Sequence, residues 1–112
     1  MDFQVEPCTV TATEGGFRIV FVGPIHTNTS WLERELDRVV AAKPKDVELD
    51  LTGTEYLSSM GLGILVGFHN RIKENGGVVR IVKILKPTLR LFKAAYLDRV
   101  FAIEPNAVTE PT

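Results

Sequence analysis

Asp50-Leu51-Thr52-Gly53-Thr54-Glu55-Tyr56-Leu57-Ser58-Ser59-Met60-Gly61-Leu62-Gly63 runs from the end of a strand, through a loop, into the start of a helix. Val47 to Leu51 supplies the strand, and Leu62, Leu65, Val66, His69 and Ile72 recur at helical spacing beyond the loop. Asn75-Gly76-Gly77 is a C-terminal stop for that helix. Val78 to Leu85, the most β-branched stretch of the chain, then returns as a second strand. Strand, helix, strand in this order calls for a crossover connection, which makes the two strands parallel neighbours. The pattern predicts an α/β domain built on a mixed, mostly parallel central sheet.

Upstream, Ser30-Trp31-Leu32-Glu33 has the form of a capping box, and Leu32, Leu36, Val39 and Val40 make one apolar stripe before Lys43-Pro44 ends the helix. Phe3, Val5, Cys8, Val10 and Ala12 alternate with polar residues up to Glu14-Gly15-Gly16. Phe17 to Val22 follows and is stopped by Gly23-Pro24, so the glycine pair joins two antiparallel strands as a hairpin. Downstream, Pro87 sits in the first turn of a third helix whose inward face is Leu89, Phe92 and Tyr96, and Val100 to Ile103 adds a short strand. The sheet then has four to five strands with packed α-helices. Its core should contain Ile19, Phe21, Leu32, Leu36, Val39, Leu49, Leu51, Leu65, Ile72, Ile81, Leu89 and Phe92. Residues 1–103 form the domain, and residues 104–112, with two prolines and little apolar matter, form a mobile tail.

At 112 residues the chain has room for one core. A formal charge of -1 leaves no cationic surplus for nucleic acid or an anionic membrane. Cys8 is the single cysteine and cannot form an internal disulfide; with only His26 and His69 beside it, no spaced set of metal ligands exists. No apolar run reaches the roughly 18 residues of a membrane span, and no basic segment precedes a hydrophobic one. These features read as a cytoplasmic protein, a monomer or weak dimer, without cofactor or metal.

The loop at residues 50–63 brings paired serines and two early helical glycines to the carboxyl edge of the sheet, where α/β folds place ligands. Gly61 and Gly63 each weaken a helix by about 1 kcal/mol relative to Ala. Close approach by another backbone would account for them; so would a plain serine cap with the glycines packed beneath a neighbouring strand. A dinucleotide fingerprint is excluded by spacing, since its glycines follow the strand immediately. Ser59 lies in no glycine-serine-glycine elbow, and neither histidine is placed near it by sequence, so no catalytic triad is indicated and the chain is not read as an enzyme. His69, on the helical stripe, reads as a packed histidine, His26 as a surface residue, and Trp31 as core or staple.

Asp50-Leu51-Thr52, Tyr56-Leu57 and Ser59-Met60-Gly61-Leu62-Gly63 together resemble the signature of the STAS domain, found in bacterial anti-sigma factor antagonists and in sulfate transporters. Gly23-Pro24-Ile25 with the Ser30 helix resembles that family's Gly-x-Leu-Asp turn and first helix, and Leu97-Asp98-Arg99-Val100-Phe101 resembles its Leu-Asp-x-Val/Ile-Phe ending. The resemblance spans about residues 3 to 103. It implies that Ser59 is the serine phosphorylated by an anti-sigma factor, itself a serine kinase of the histidine-kinase-like ATPase type. It also implies a partner surface made of Ile25, His26, Thr27, Tyr56, Leu57, Ser58, Ser59, Met60, Gly61, Leu62 and Gly63. The chain would then bind that kinase unmodified, leave it on phosphorylation and so regulate sigma-factor-dependent transcription. Ser58 replaces the family's Asp, Met60 its second hydroxyl residue, and His26 the Asp of the turn. A non-switching STAS scaffold, in a stressosome-like or transporter-associated assembly, is the other function the resemblance allows.

Overall fold

The computed structural model describes residues 8–22, 30–54 and 56–109. β1 (Cys8–Ala12) and β2 (Gly16–Val22) form the expected antiparallel hairpin, with Cys8 opposite Phe21 and Ala12 opposite Phe17. α1 (Ser30–Ala41), β3 (Asp46–Gly53), α2 (Ser59–Glu74), β4 (Val78–Leu85) and α3 (Lys86–Ala94) follow. A short 3-10 turn at Leu97–Arg99 leads to β5 (Ala102–Ile103) and β6 (Val108–Thr109). The sheet runs β1-β2-β3-β4-β5, and β6 also pairs with β4; every pairing except β1 with β2 is parallel.

Alternation along the strands sorts the sheet into two unlike faces. Ile19 and Phe21 of β2, Val47 and Leu49 of β3, and Val79 and Ile81 of β4 are buried with Leu32, Leu36 and Val39 of α1 and Leu65, Phe68 and Ile72 of α2 in one cluster. The expected core is found there, with Leu89 only half-buried against it. The opposite face carries an ionic lattice. Arg80 holds both carboxylate oxygens of Asp46 at 2.8 Å and reaches Glu48 at 2.9 Å and Glu104 at 3.5 Å. Arg18 reaches Glu48 at 3.3 Å and Asp50 at 3.7 Å. Arginine stems and fork geometry suit this role, because they cover apolar strand backbone while pairing two carboxylates at once.

Connections follow from local chemistry. A side chain at Gly16 would collide with the Asp46 carbonyl, so only glycine lets the hairpin run beside the start of β3. Gly76, at φ +86, closes α2: its N–H donates to Lys73 O at 3.0 Å, and the Gly77 N–H donates to Ile72 O at 2.9 Å.

Three expectations are corrected. The buried stripe of α2 is Gly61, Leu65, Phe68 and Ile72, while Leu62, Val66 and His69 lie to its side. Fully burying a phenylalanine contributes about 1.5–3 kcal/mol, so Phe68 takes the centre and the histidine ring stays at the rim. Tyr96 does not face inward from α3. The helix closes at Ala95, whose N–H meets Leu91 O and Phe92 O, and Tyr96 turns left-handed (φ 61) to lie 67% exposed beneath the Arg99 guanidinium. In place of a mobile tail from Glu104, the chain stays on the sheet as far as Thr109, and residues 110–112 lie outside the described residues. The Glu104 N–H donates to Ile81 O, the Ile84 N–H to Ala107 O, and Ala107 is fully buried. One small apolar residue and a returning backbone ladder suffice where composition offered no periodic signal. The sheet therefore has six strands.

The Arg80 pair gives the protein an acid limb. Hydrogen bonding to Arg80 holds the Asp46 carboxyl below its ordinary 3.8, against an opposing push from burial. A depressed folded value means the stabilisation is fully present above the unfolded pKa and is lost as pH falls through the folded one. Arg80→Met should therefore cost more stability at pH 7 than at pH 3, read as the shift in urea midpoint at each pH.

Candidate functional site

The loop between β3 and α2 is tied down at both ends. At its root Asp50, 8% exposed, bends back on the chain: its Oδ1 accepts the Thr52 N–H at 3.0 Å and the Thr52 hydroxyl at 2.6 Å. This Asx arrangement lies in the last residues of β3, just after the register shift between Leu49 and Asp50, and accounts for Asp and Thr two residues apart. The Thr54 N–H donates to Leu51 O at 3.0 Å. The Thr88 hydroxyl of α3 donates to the Thr54 carbonyl at 2.6 Å, and both threonines are fully buried. Leu57 anchors the far side at 3% exposure.

Ser58 is the N-cap of α2. It is extended (φ -71, ψ 166), its Oγ accepts the Gly61 N–H at 3.0 Å, and its carbonyl accepts the Leu62 N–H at 2.9 Å. Its hydroxyl is thus inside the fold, with the residue 6% exposed. Ser59, next in sequence, is the first helical residue and is exposed. The first turn of α2 contains no acidic side chain, so the positive end of the helix has no carboxylate of its own turn beside it.

Among the residues expected on a partner surface, the structure brings Tyr56 (49% exposed), Ser59, Met60 (53% exposed) and Gly63 to the outside of this one loop and helix start. Leu62 is half-buried against the core. Leu57, Ser58 and Gly61 are buried, so they form the foundation of the loop and their side chains are not presented outward. Ile25, His26 and Thr27 lie outside the described residues. Packing beneath a strand does not account for Gly63: a Cβ there would meet no atom within 4 Å. Thr88 went unnoticed in the sequence, although a hydroxyl four residues before Phe92 on the inward stripe of α3 is a polar group where an apolar one belongs.

The family profile of the STAS domain matches residues 10–109. The chain belongs to the STAS family. It is 26% identical over 98 residues to the "Anti-sigma-B factor antagonist" of Bacillus subtilis (strain 168), covering 88% of this chain and 90% of that protein. It is 25% identical to the "Anti-sigma F factor antagonist" of Paenibacillus polymyxa over 76% of each. Among solved structures, an anti-sigma factor antagonist from Mycobacterium paratuberculosis superposes with a TM-score of 0.78 at 28% identity, covering 88% of this chain and 85% of that one. The STAS chain is thus a distant homologue of anti-sigma factor antagonists. No helix among its described residues is long and apolar enough to cross a membrane.

Where the family pattern has Asp, Ser58 caps the helix, and serine and aspartate are equally good caps. Ser58→Ala should cost about 1 kcal/mol of stability, whereas Ser58→Asp should leave the protein as stable as the parent or slightly more so through the helix dipole. Chemical denaturation of the three proteins side by side checks both.

Proposed function

We propose that this STAS protein is a cytoplasmic, non-catalytic anti-sigma factor antagonist. Unmodified, it binds an anti-sigma factor serine kinase through the surface around Ser59; phosphorylated on Ser59, it leaves. The observation that carries this reading is the division of labour between the two serines. Ser58 spends its hydroxyl on the Gly61 N–H inside the fold, and Ser59, one residue on, is exposed at a helix start with no acidic neighbour in that turn.

Phosphoryl transfer would form a bond between Ser59 Oγ and the γ-phosphorus of ATP, with loss of the hydroxyl proton and departure of ADP. The phosphate would bring about -1.5 to -2 charges at pH 7. The N-terminus of α2 accommodates an anion through its free N–H groups and dipole, so the fold stays intact. The partner complex does not. Tyr56 and Met60, exposed in the same loop and helix start as Ser59, offer apolar area, and Gly63 leaves room for close approach. A doubly charged group held between such surfaces would be desolvated without a counter-charge.

Ser59→Asp should fold like the parent and lose about 2 to 3 kcal/mol of binding, or roughly 30- to 150-fold in affinity for the kinase. Ser59→Ala should bind as the parent does and ignore ATP. Titration calorimetry with a kinase-type anti-sigma factor, followed by site mapping after ATP addition, measures both. Equal affinity of Ser59→Asp and parent, with no phosphate on Ser59, would overturn the switch in favour of a non-switching scaffold. Phosphate found on Ser58 would overturn the assignment of the acceptor.

A further inference from the structure

At the opposite end of α2 from Ser59, a cleft of about 360 Å³ opens between the last turns of that helix, the start of β4 and the approach to β5. Its walls are Val78, Val100 and Ala102, and its upper edge carries His69 and Lys73. Val78 is 52% exposed and Val100 38%, so two of the protein's exposed large apolar side chains face one hollow rather than being scattered. The volume is at the small end of the range of ligand clefts and suits about ten heavy atoms.

The polar side chains lining this cleft are His69 and Lys73. His69 and Lys73 are one turn apart and share a face of α2. Among the described residues Lys73 has no ion-pair partner. The His69 ring packs on Phe101, with centroids 5.2 Å apart, and its Nδ1 is buried without a hydrogen-bond partner. A neutral imidazole keeps one N–H, so the ring can still donate to a ligand at the cleft edge. Burial, assisted by the Lys73 charge, lowers the His69 pKa from 6.5, which keeps the ring neutral at pH 7. One positive charge and one neutral imidazole therefore line an apolar hollow with no acidic residue in its lining.

The geometry points to a second binding site at this cleft, for a small aliphatic carboxylate whose chain lies against Val78, Val100 and Ala102 while its anionic head meets Lys73 and His69. The site is independent of the Ser59 surface and of the switch proposed for it. An alcohol of the same chain length would fill the hollow without engaging the charge, and an alkylammonium would be repelled by Lys73.

Titration of the full chain with octanoate, followed by backbone amide NMR, tests this directly, with octanol and octylammonium as controls. Octanoate should give saturable shifts centred on Val78, Val100 and Ala102, octanol weaker ones and octylammonium none. Lys73→Ala should weaken octanoate about tenfold or more and leave octanol unchanged, and Val100→Asp should abolish binding of both. Shifts that do not saturate, that centre elsewhere, or that are the same for octanoate and octylammonium would overturn the site. So would Lys73→Ala binding octanoate like the parent, a comparison available whether or not Val100→Asp folds.

Discussion

The hydrogen bond from the Gly61 N–H to Ser58 Oγ is the constraint on which the candidate site depends. It fixes where α2 starts, and a helix that started one residue later would make Ser59 the cap and draw its hydroxyl inward. Because Ser58 occupies the cap, Ser59 is left at the first helical position with its side chain outside. The cap is supported from below by a chain of polar contacts. Asp50 accepts both the N–H and the hydroxyl of Thr52 near the end of β3, and Thr88 holds the Thr54 carbonyl from a different helix. Such buried contacts each contribute only about 0.5–1.5 kcal/mol net, yet leaving one partner unsatisfied costs about 1–3 kcal/mol, so the loop has one arrangement rather than several.

This support explains how a loop with several small residues can be specific. Glycine and serine bring little apolar area of their own, and a surface made from them alone would be featureless. Here Tyr56 and Met60 of the same loop and helix start are both about half exposed. Large exposed side chains beside small residues combine contact area with room for close approach within one short stretch.

Much of this was legible from the order of residues. Periodicity located every helix and the main strands, because each buries a single face against one cluster and the period survives in the sequence. The loop's identity was carried by Asp50-Leu51-Thr52 and Ser59-Met60-Gly61-Leu62-Gly63, where local hydrogen bonding and helix entry impose residue types directly. What failed to show had non-local causes. Thr88 is tied to Thr54, thirty-four residues away. Ala107 is buried by a backbone ladder to Ile84, which no pattern of side chains announces. Tyr96 has the spacing of an inward residue, but the helix stops before reaching it. For Ser58 the sequence offered a serine cap without saying which serine it was, and the Gly61 N–H decides for Ser58.

The placement of charge along α2 bears on how a modification at Ser59 could act. The helix has 16 residues and so extends about 24 Å. Its amino end has no acid, while Arg71 and Lys73 sit in its last turn, beside the negative end of the dipole. A phosphate at Ser59 would complete this arrangement rather than oppose it, so it would hold the helix more firmly in its present place. The core beneath offers no slack for a compensating shift, since Leu65, Phe68 and Ile72 are buried to 1% exposure or less. Negative charge added at this helix start would therefore act at the surface and not by moving the domain. The cleft lined by His69 and Lys73, near the other end of the same helix, is separated from that charge by most of the helix length.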